Sequence, residues 1–121
     1  ALNYFENAFT FDSNNLVVLR NILLLHIDLK HYQLAIEKCS KALEKYPSQP
    51  IFYLVYGFAL NELNQADKAI GILETGLDYI IDDTKMESDF YNQLSISYTL
   101  LNNTIKAKQF SDKAKQLETP N

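Results

Sequence analysis

Apolar residues recur at helical spacing along most of this chain. From 34 to 46 they stand at Leu34, Ala35, Ile36, Cys39, Ala42, Leu43 and Tyr46. This is the i, i+3, i+4, i+7 pattern of a helix with one buried face. Three prolines and three glycines in 121 residues interrupt the pattern little. It predicts an all-α chain with helices near residues 2–11, 15–29, 32–45, 49–63, 66–81, 85–101 and 104–117.

One helical segment is apolar on every side. Ten uncharged residues run from Ile51 to Leu60. The run is about half of the roughly 18 residues that a membrane-spanning helix needs, so we expect no insertion into a membrane. A helix that is apolar all round is covered on more than one face. We therefore expect one side of this segment to be core and the other side to be a binding groove.

The chain also repeats itself. Four alanines, Ala1, Ala35, Ala69 and Ala107, are spaced 34, 34 and 38 residues apart. Seven residues after each comes another small residue, and these are Ala8, Ala42, Gly76 and Ala114. Small residues at this spacing let two helices approach closely. A period in this range predicts helix pairs that stack on one another, because one pair alone cannot cover its apolar face.

These columns resemble the tetratricopeptide repeat, a 34-residue helix-turn-helix unit. The middle unit carries the resemblance through Tyr53, Tyr56, Gly57, Leu60, Ala69, Leu73 and Gly76, and the unit before it through Ala35, Ala42 and Pro47. The resemblance implies an α-solenoid of antiparallel helix pairs in a right-handed superhelix. It would contain about seven helices, or 3.5 units.

The repeat divides the chain into four segments. They are the second helix of a truncated unit (1–15), a full unit (16–49), a unit with a four-residue extension (50–87), and a unit with a C-terminal cap (88–121). The extension equals about one helical turn. We expect it to lengthen the corner between two units, with an acidic cluster of Asp82, Asp83, Glu87 and Asp89.

The two ends of the chain lead to different expectations. The segment with Leu2, Phe5, Ala8 and Phe9 matches the second half of a unit, so its apolar face should be open to further repeats or to self-association. The last helix has a narrow apolar stripe and an otherwise polar surface, which is typical of a capping helix.

Composition argues against several functions. A net charge of −4 disfavours nucleic acid as a partner, since phosphate backbones select basic surfaces.

The one cysteine, Cys39, stands in the same column as Leu73 and is expected to be a buried thiol rather than a nucleophile. His26 and His31 are five residues apart, which predicts different faces and no metal pair. We expect no enzyme and no cofactor. The compartment, cytoplasm or periplasm, stays open.

The resemblance implies a concave groove lined by the first helix of each unit. The residues that fall at groove positions are Val17, Arg20, Asn21, Leu24, Ile51, Leu54, Val55, Phe58, Asn92, Gln93 and Ile96. Family members that clamp an acidic C-terminus need cations there, whereas this chain has mostly apolar and amide groups. We therefore predict binding of an apolar or amphipathic peptide segment of another protein.

Two alternatives remain open. The array could be a structural module that assembles with other repeats or with itself and binds no peptide. It could also act as a chaperone for secretion clients, with weak selectivity among apolar peptides.

Overall fold

The computed structural model describes residues 15–118, and every regular element within them is an α-helix. The helices are α1 (Leu16–Asp28), α2 (Tyr32–Lys45), α3 (Pro50–Glu62), α4 (Ala66–Leu77), α5 (Thr84–Leu100) and α6 (Thr104–Glu118). The fold is an all-α solenoid, which confirms the predicted fold class. The helix predicted at 2–11 lies outside the described residues.

The helices form two layers. Each helix packs against the next one in sequence, and α3 also contacts α1 and α5 directly. Between residues 15 and 118, the second helices α2, α4 and α6 make no such contacts with one another. The first helices are therefore closer together than the second helices. This difference in spacing puts α1, α3 and α5 on the inner, concave side of the stack.

The turn inside each helix pair has the same backbone conformation. Its central residue is left-handed, with φ values of 62° at Lys30, 60° at Asn64 and 62° at Asn102. The next N–H in each turn donates to the carbonyl five residues earlier, and the pairs are His31 to His26, Gln65 to Leu60 and Asn103 to Tyr98, all at 2.8 Å. This is the Schellman arrangement that ends many helices. The turns are spaced like the alanines, so the sequence period is also present in the backbone.

The small-residue columns lie where helices come closest. A Cβ added at Gly57 would stand 2.4 Å from Leu73 Cδ2. One added at Gly76 would stand 2.4 Å from Tyr53 Cβ and 2.7 Å from Phe90 Cε2. Both distances are far below van der Waals contact. Glycine is required at position 76, where the Cβ of Tyr53 and the ring of Phe90 occupy the space of a side chain, whereas at position 57 a Cβ would force the Leu73 side chain to move.

Two hydrophobic clusters form the core, and α3 contributes to both. The first contains Leu19, Leu23, Cys39, Ala42, Phe52 and Val55. The second contains Tyr53, Leu60, Ala69, Leu73, Phe90 and Leu94. Successive residues of α3 thus point into different clusters. This sharing explains much of the apolar run from 51 to 60.

The four-residue extension lengthens α5, and the corner before it is also longer than the equivalent corner, as expected, since it runs over 78–83 where the other runs over 46–49. Helix α4 ends at Leu77, before the predicted position 81, and α5 has 17 residues where α1 and α3 have 13 each. The carboxylate of Asp83 accepts a 3.0 Å hydrogen bond from the Met86 N–H and starts α5 there. Glu87 and Asp89 are therefore helical, and the unit boundary predicted between 87 and 88 falls inside α5.

The two glycines of α4 should respond oppositely to alanine. Gly71 is exposed and a Cβ there would meet nothing within 4 Å, so Gly71→Ala should raise the free energy of unfolding by about 1 kcal/mol. Gly76→Ala should lower it by about 1–3 kcal/mol, because the new methyl overlaps Tyr53 and Phe90. Urea unfolding of both variants measures this. Equal stability of wild type and Gly76→Ala would contradict the close helix contact.

The left-handed turns provide a second test. Lysine disfavours this conformation more than asparagine does, and asparagine stands at two of the three equivalent positions. Lys30→Asn should therefore raise the free energy of unfolding by about 0.5–1 kcal/mol. Asn64→Lys, the reciprocal control, should lower it by a similar amount. Changes of the same sign in the two urea titrations would show that the turns are not equivalent.

Candidate functional site

A cleft of about 250 Å³ crosses the concave layer from α1 to α5. We call it the central cleft. Its lining residues are Leu24 and Ile27 of α1, Ile51, Leu54, Val55 and Phe58 of α3, and Asp89, Asn92 and Gln93 of α5. The cleft thus has an apolar floor from α1 and α3 and a polar wall from α5. Such a combination is typical of binding sites for partly apolar ligands.

The structure brings most of the predicted groove residues together. Seven of them line the central cleft, and these are Leu24, Ile51, Leu54, Val55, Phe58, Asn92 and Gln93. Val17 and Arg20 lie with Ile51 around a separate recess of about 650 Å³ at the start of the first helices, the corner recess. Ile96 lies in a recess of about 140 Å³ beyond Phe58, the end recess. Asn21 is half-buried on α1 and lines none of the three.

The floor of the central cleft is continuous with the core. Val55 is only 5% exposed and belongs to the first hydrophobic cluster. Ile51 and Leu54 are half-buried and pack against the first and second clusters respectively. Phe58 is half-buried, with its ring edge-on to Tyr32 at a centroid distance of 6.2 Å. The side chains of the floor are therefore held in place before any ligand arrives.

Some lining residues were not predicted for the groove. Ile27 follows Leu24 by three positions on α1, so its i, i+3 spacing could have identified it. Asp89 was predicted in the acidic corner and lies instead in the wall of the central cleft. Glu62 and Leu100 in the end recess follow Phe58 and Ile96 by four positions. The same periodicity would have extended the groove to them.

A buried hydrogen-bond network positions the polar wall. Asn61 Nδ2 donates to Gln93 Oε1 at 3.1 Å and to the Gln93 carbonyl at 3.2 Å. Ser97 Oγ donates to Asn61 Oδ1 at 2.8 Å. Asn61 and Ser97 are buried, where hydrogen bonds of this kind are costly to break. The Gln93 side-chain oxygen is thus occupied by α3, and its amide nitrogen is the group that can donate into the cleft.

The charged residues that line the central cleft and the end recess are all negative. Asp89 and Glu62 are the ionisable residues that line the central cleft and the end recess. Asp89 pairs with Lys85 on the same helix at 2.8 Å, and this hydrogen bond raises the pKa of Lys85. The pair is exposed, so its contribution to stability is small. The central cleft and the end recess are therefore apolar to acidic in character.

The thiol of Cys39 is sealed in the first cluster. Its side chain is fully buried between α1 and α3, and burial raises the pKa of the thiol well above its usual range. A nucleophilic cysteine needs the opposite shift, toward the thiolate. The role of Cys39 is therefore structural.

The two histidines lie on the same side of the first helix pair, so the prediction of different faces was wrong. Their ring centroids are 5.8 Å apart. The left-handed Lys30 reverses the chain, and the His31 N–H bonds back to the His26 carbonyl. Helical spacing did not account for this reversal. Among residues 15–118, no group of three or more His, Cys, Asp or Glu side chains is arranged to hold a metal ion.

Within the described part of the chain, every helix is too short or too polar to cross a bilayer.

Solved structures share this architecture. MamA AMB-1 superposes with a TM-score of 0.79 at 21% identity, over 97% of this chain and 67% of its own. MamA 41-end from Desulfovibrio magneticus RS-1 gives a TM-score of 0.80 at 17% identity, over 97% and 64%. MamA MSR-1 gives 0.77 at 21%, over 97% and 65%. The chain thus spans about two-thirds of these structures, and the likeness shows the fold. No family model and no curated protein matches the chain.

The reactivity of Cys39 provides a direct test of the packing of the first hydrophobic cluster. The native thiol should fail to react with a disulfide reagent at neutral pH, because it is buried and its raised pKa keeps it protonated. The same protein in guanidinium chloride should react at once and stoichiometrically. Rapid labelling of the native protein would instead place the thiol at an accessible surface.

Proposed function

We propose that this chain is a protein-interaction module of the tetratricopeptide type. Its central cleft would bind an apolar or amphipathic segment of another polypeptide. The observation that carries the proposal is that α1, α3 and α5 assemble seven groove-position residues around one cleft with an apolar floor and an amide wall. The small-residue columns and the helical stack support the repeat type.

The chemistry of the cleft suits a peptide. The half-buried floor residues Ile51, Leu54 and Phe58 keep apolar surface that a ligand side chain would remove from water. The Asn92 carboxamide can donate to and accept from a peptide backbone, and the Gln93 amide nitrogen can donate to it. A helix laid in the groove or an extended segment would meet both requirements.

The proposed repeat units are the three helix pairs α1–α2, α3–α4 and α5–α6. The additional helical turn at the start of α5 belongs to the third pair, because it continues that helix without interruption. The segment 1–15 would be part of an earlier unit, and nearly all of it lies outside the described residues. We propose no catalytic role, since the cysteine is sealed in the core and the cleft holds no nucleophile paired with a base.

Self-association is the second candidate, and the corner recess favours it. This recess exposes Val17 (62%) and Ile81 (83%) beside Tyr79. Apolar side chains this exposed are typical of protein contacts. An assembly role would give a molar mass that rises with concentration in light scattering. The chaperone alternative would give weak binding to many unrelated apolar peptides.

Phe58 tests the peptide-binding proposal. A random peptide library is first selected on the wild-type chain. Phe58→Glu should lower the affinity for the selected peptides at least about tenfold, because it places a charge on the apolar floor. Ile105→Glu is the matched control, since Ile105 is 73% exposed on α6 and lies outside the residues that line the cleft. It should bind as wild type does.

Circular dichroism checks that the variants are equally helical. If Phe58→Glu unfolds, Asn92→Asp on the exposed wall replaces it as the test. Unchanged binding by a folded cleft variant would show that the peptide sits elsewhere. Failure to select any peptide, with a mass that rises with concentration, would favour assembly.

A further inference from the structure

The central cleft and the end recess are adjacent and differ in character. They share Phe58 and Gln93. The end recess adds Ile96 and Leu100, which are 45% and 40% exposed, on one side and Glu62 on the other. It thus combines two exposed apolar side chains with one carboxylate. Such a recess is suited to a side chain that has an apolar stem and a polar head.

The end recess is electronegative for two independent reasons. Glu62 is the last residue of α3 and Leu100 is the last residue of α5, and helix C-termini carry partial negative charge. Neither helix has a basic residue in its last turn. The carboxylate of Glu62 adds a full charge at the same place. The ion pairs Lys85–Asp89 and Lys108–Asp112 do not involve Glu62.

The opposite end of the concave layer is different. The corner recess holds both Arg20 and Asp83, so its side-chain charges balance, and it lies at the N-terminal ends of the first helices, which carry partial positive charge. Lys85 neutralises Asp89 at 2.8 Å. The electrostatic potential along the groove therefore becomes more negative from the starts of the first helices toward their ends. A ligand with a positive group would be oriented by this difference.

We propose that the groove binds a polypeptide segment in which a Lys or Arg accompanies a large apolar side chain. The apolar side chain fills the central cleft and the cation lies in the end recess at Glu62. The methylene stem of the basic residue packs on Ile96 and Leu100, as such stems commonly do on apolar surface. This inference rests on the proposed function and names the chemistry of its ligand.

The geometry also limits the spacing of the two ligand residues. Phe58 and Glu62 are one helical turn apart on α3, which is about 6 Å along the axis. In an extended peptide, side chains two positions apart are separated by nearly the same distance and point the same way. In a helical peptide the equivalent spacing is three or four. An apolar residue and a basic residue at one of these spacings is therefore expected.

The test uses the peptides that a random library yields on the wild-type chain. Lys or Arg should be enriched at these spacings from an apolar residue. Replacing that basic residue by Ser should weaken binding about three- to tenfold, as for an exposed ion pair reinforced by helix ends. Glu62→Lys should remove this difference between the Lys and Ser peptides. Glu74→Lys, which makes the same charge change on the exposed face of α4, should preserve it.

The fold provides an internal control. A cation at the C-terminus of α3 is favourable for the helix, so Glu62→Lys should keep or raise the thermal midpoint while it weakens basic peptides. A structural defect would lower both the thermal midpoint and the affinity for basic peptides. Selected peptides without a basic residue, or with equal affinity for wild type and Glu62→Lys, would overturn this inference and leave the proposed function standing. Selection of no peptide would remove both.

Discussion

The close approach of paired helices at positions without a side chain is the contact on which the rest of the stack depends. At Gly57 and Gly76 the neighbouring Leu73, Tyr53 and Phe90 occupy the space of a Cβ. With α4 that close, the larger side chains of α3 extend sideways into both core clusters and reach α1 and α5. These lateral contacts draw the first helices together. The concave layer, and hence the central cleft, follows from that closeness.

The segment from 51 to 60 is apolar because three environments meet on one helix. Phe52 packs in the first cluster and Tyr53 in the second, while Phe58 lines the cleft. A helix with a single buried face would show a polar stripe. In α3 the amide and charged residues are confined to the C-terminal end, at Asn61 and Glu62. Its buried Asn61 is satisfied by Gln93 and Ser97, so even the polar group serves the contact with α5.

The periodic features were predictable from sequence, and the local ones were not. The alanine columns specify which helices pair, and the residues left over on α3 specify the groove side, so Leu54 and Phe58 could be placed. The extension was different, since four extra residues could lengthen α4, the corner or α5. A single cap at Asp83 decides this. Likewise, the reversal at Lys30 brings His31 to His26, and no helical spacing contains that information.

The membership of α3 in both clusters has a consequence for how the stack opens. In a repeat array, neighbouring units are held mainly by the interface between them. Here α3 contributes two of the six buried residues of each cluster, so separating the first pair from the second would expose Phe52 and Val55 together. Loss of either cluster would therefore remove part of the packing around α3, on which the other cluster also depends. The first two helix pairs are thus coupled in unfolding through α3.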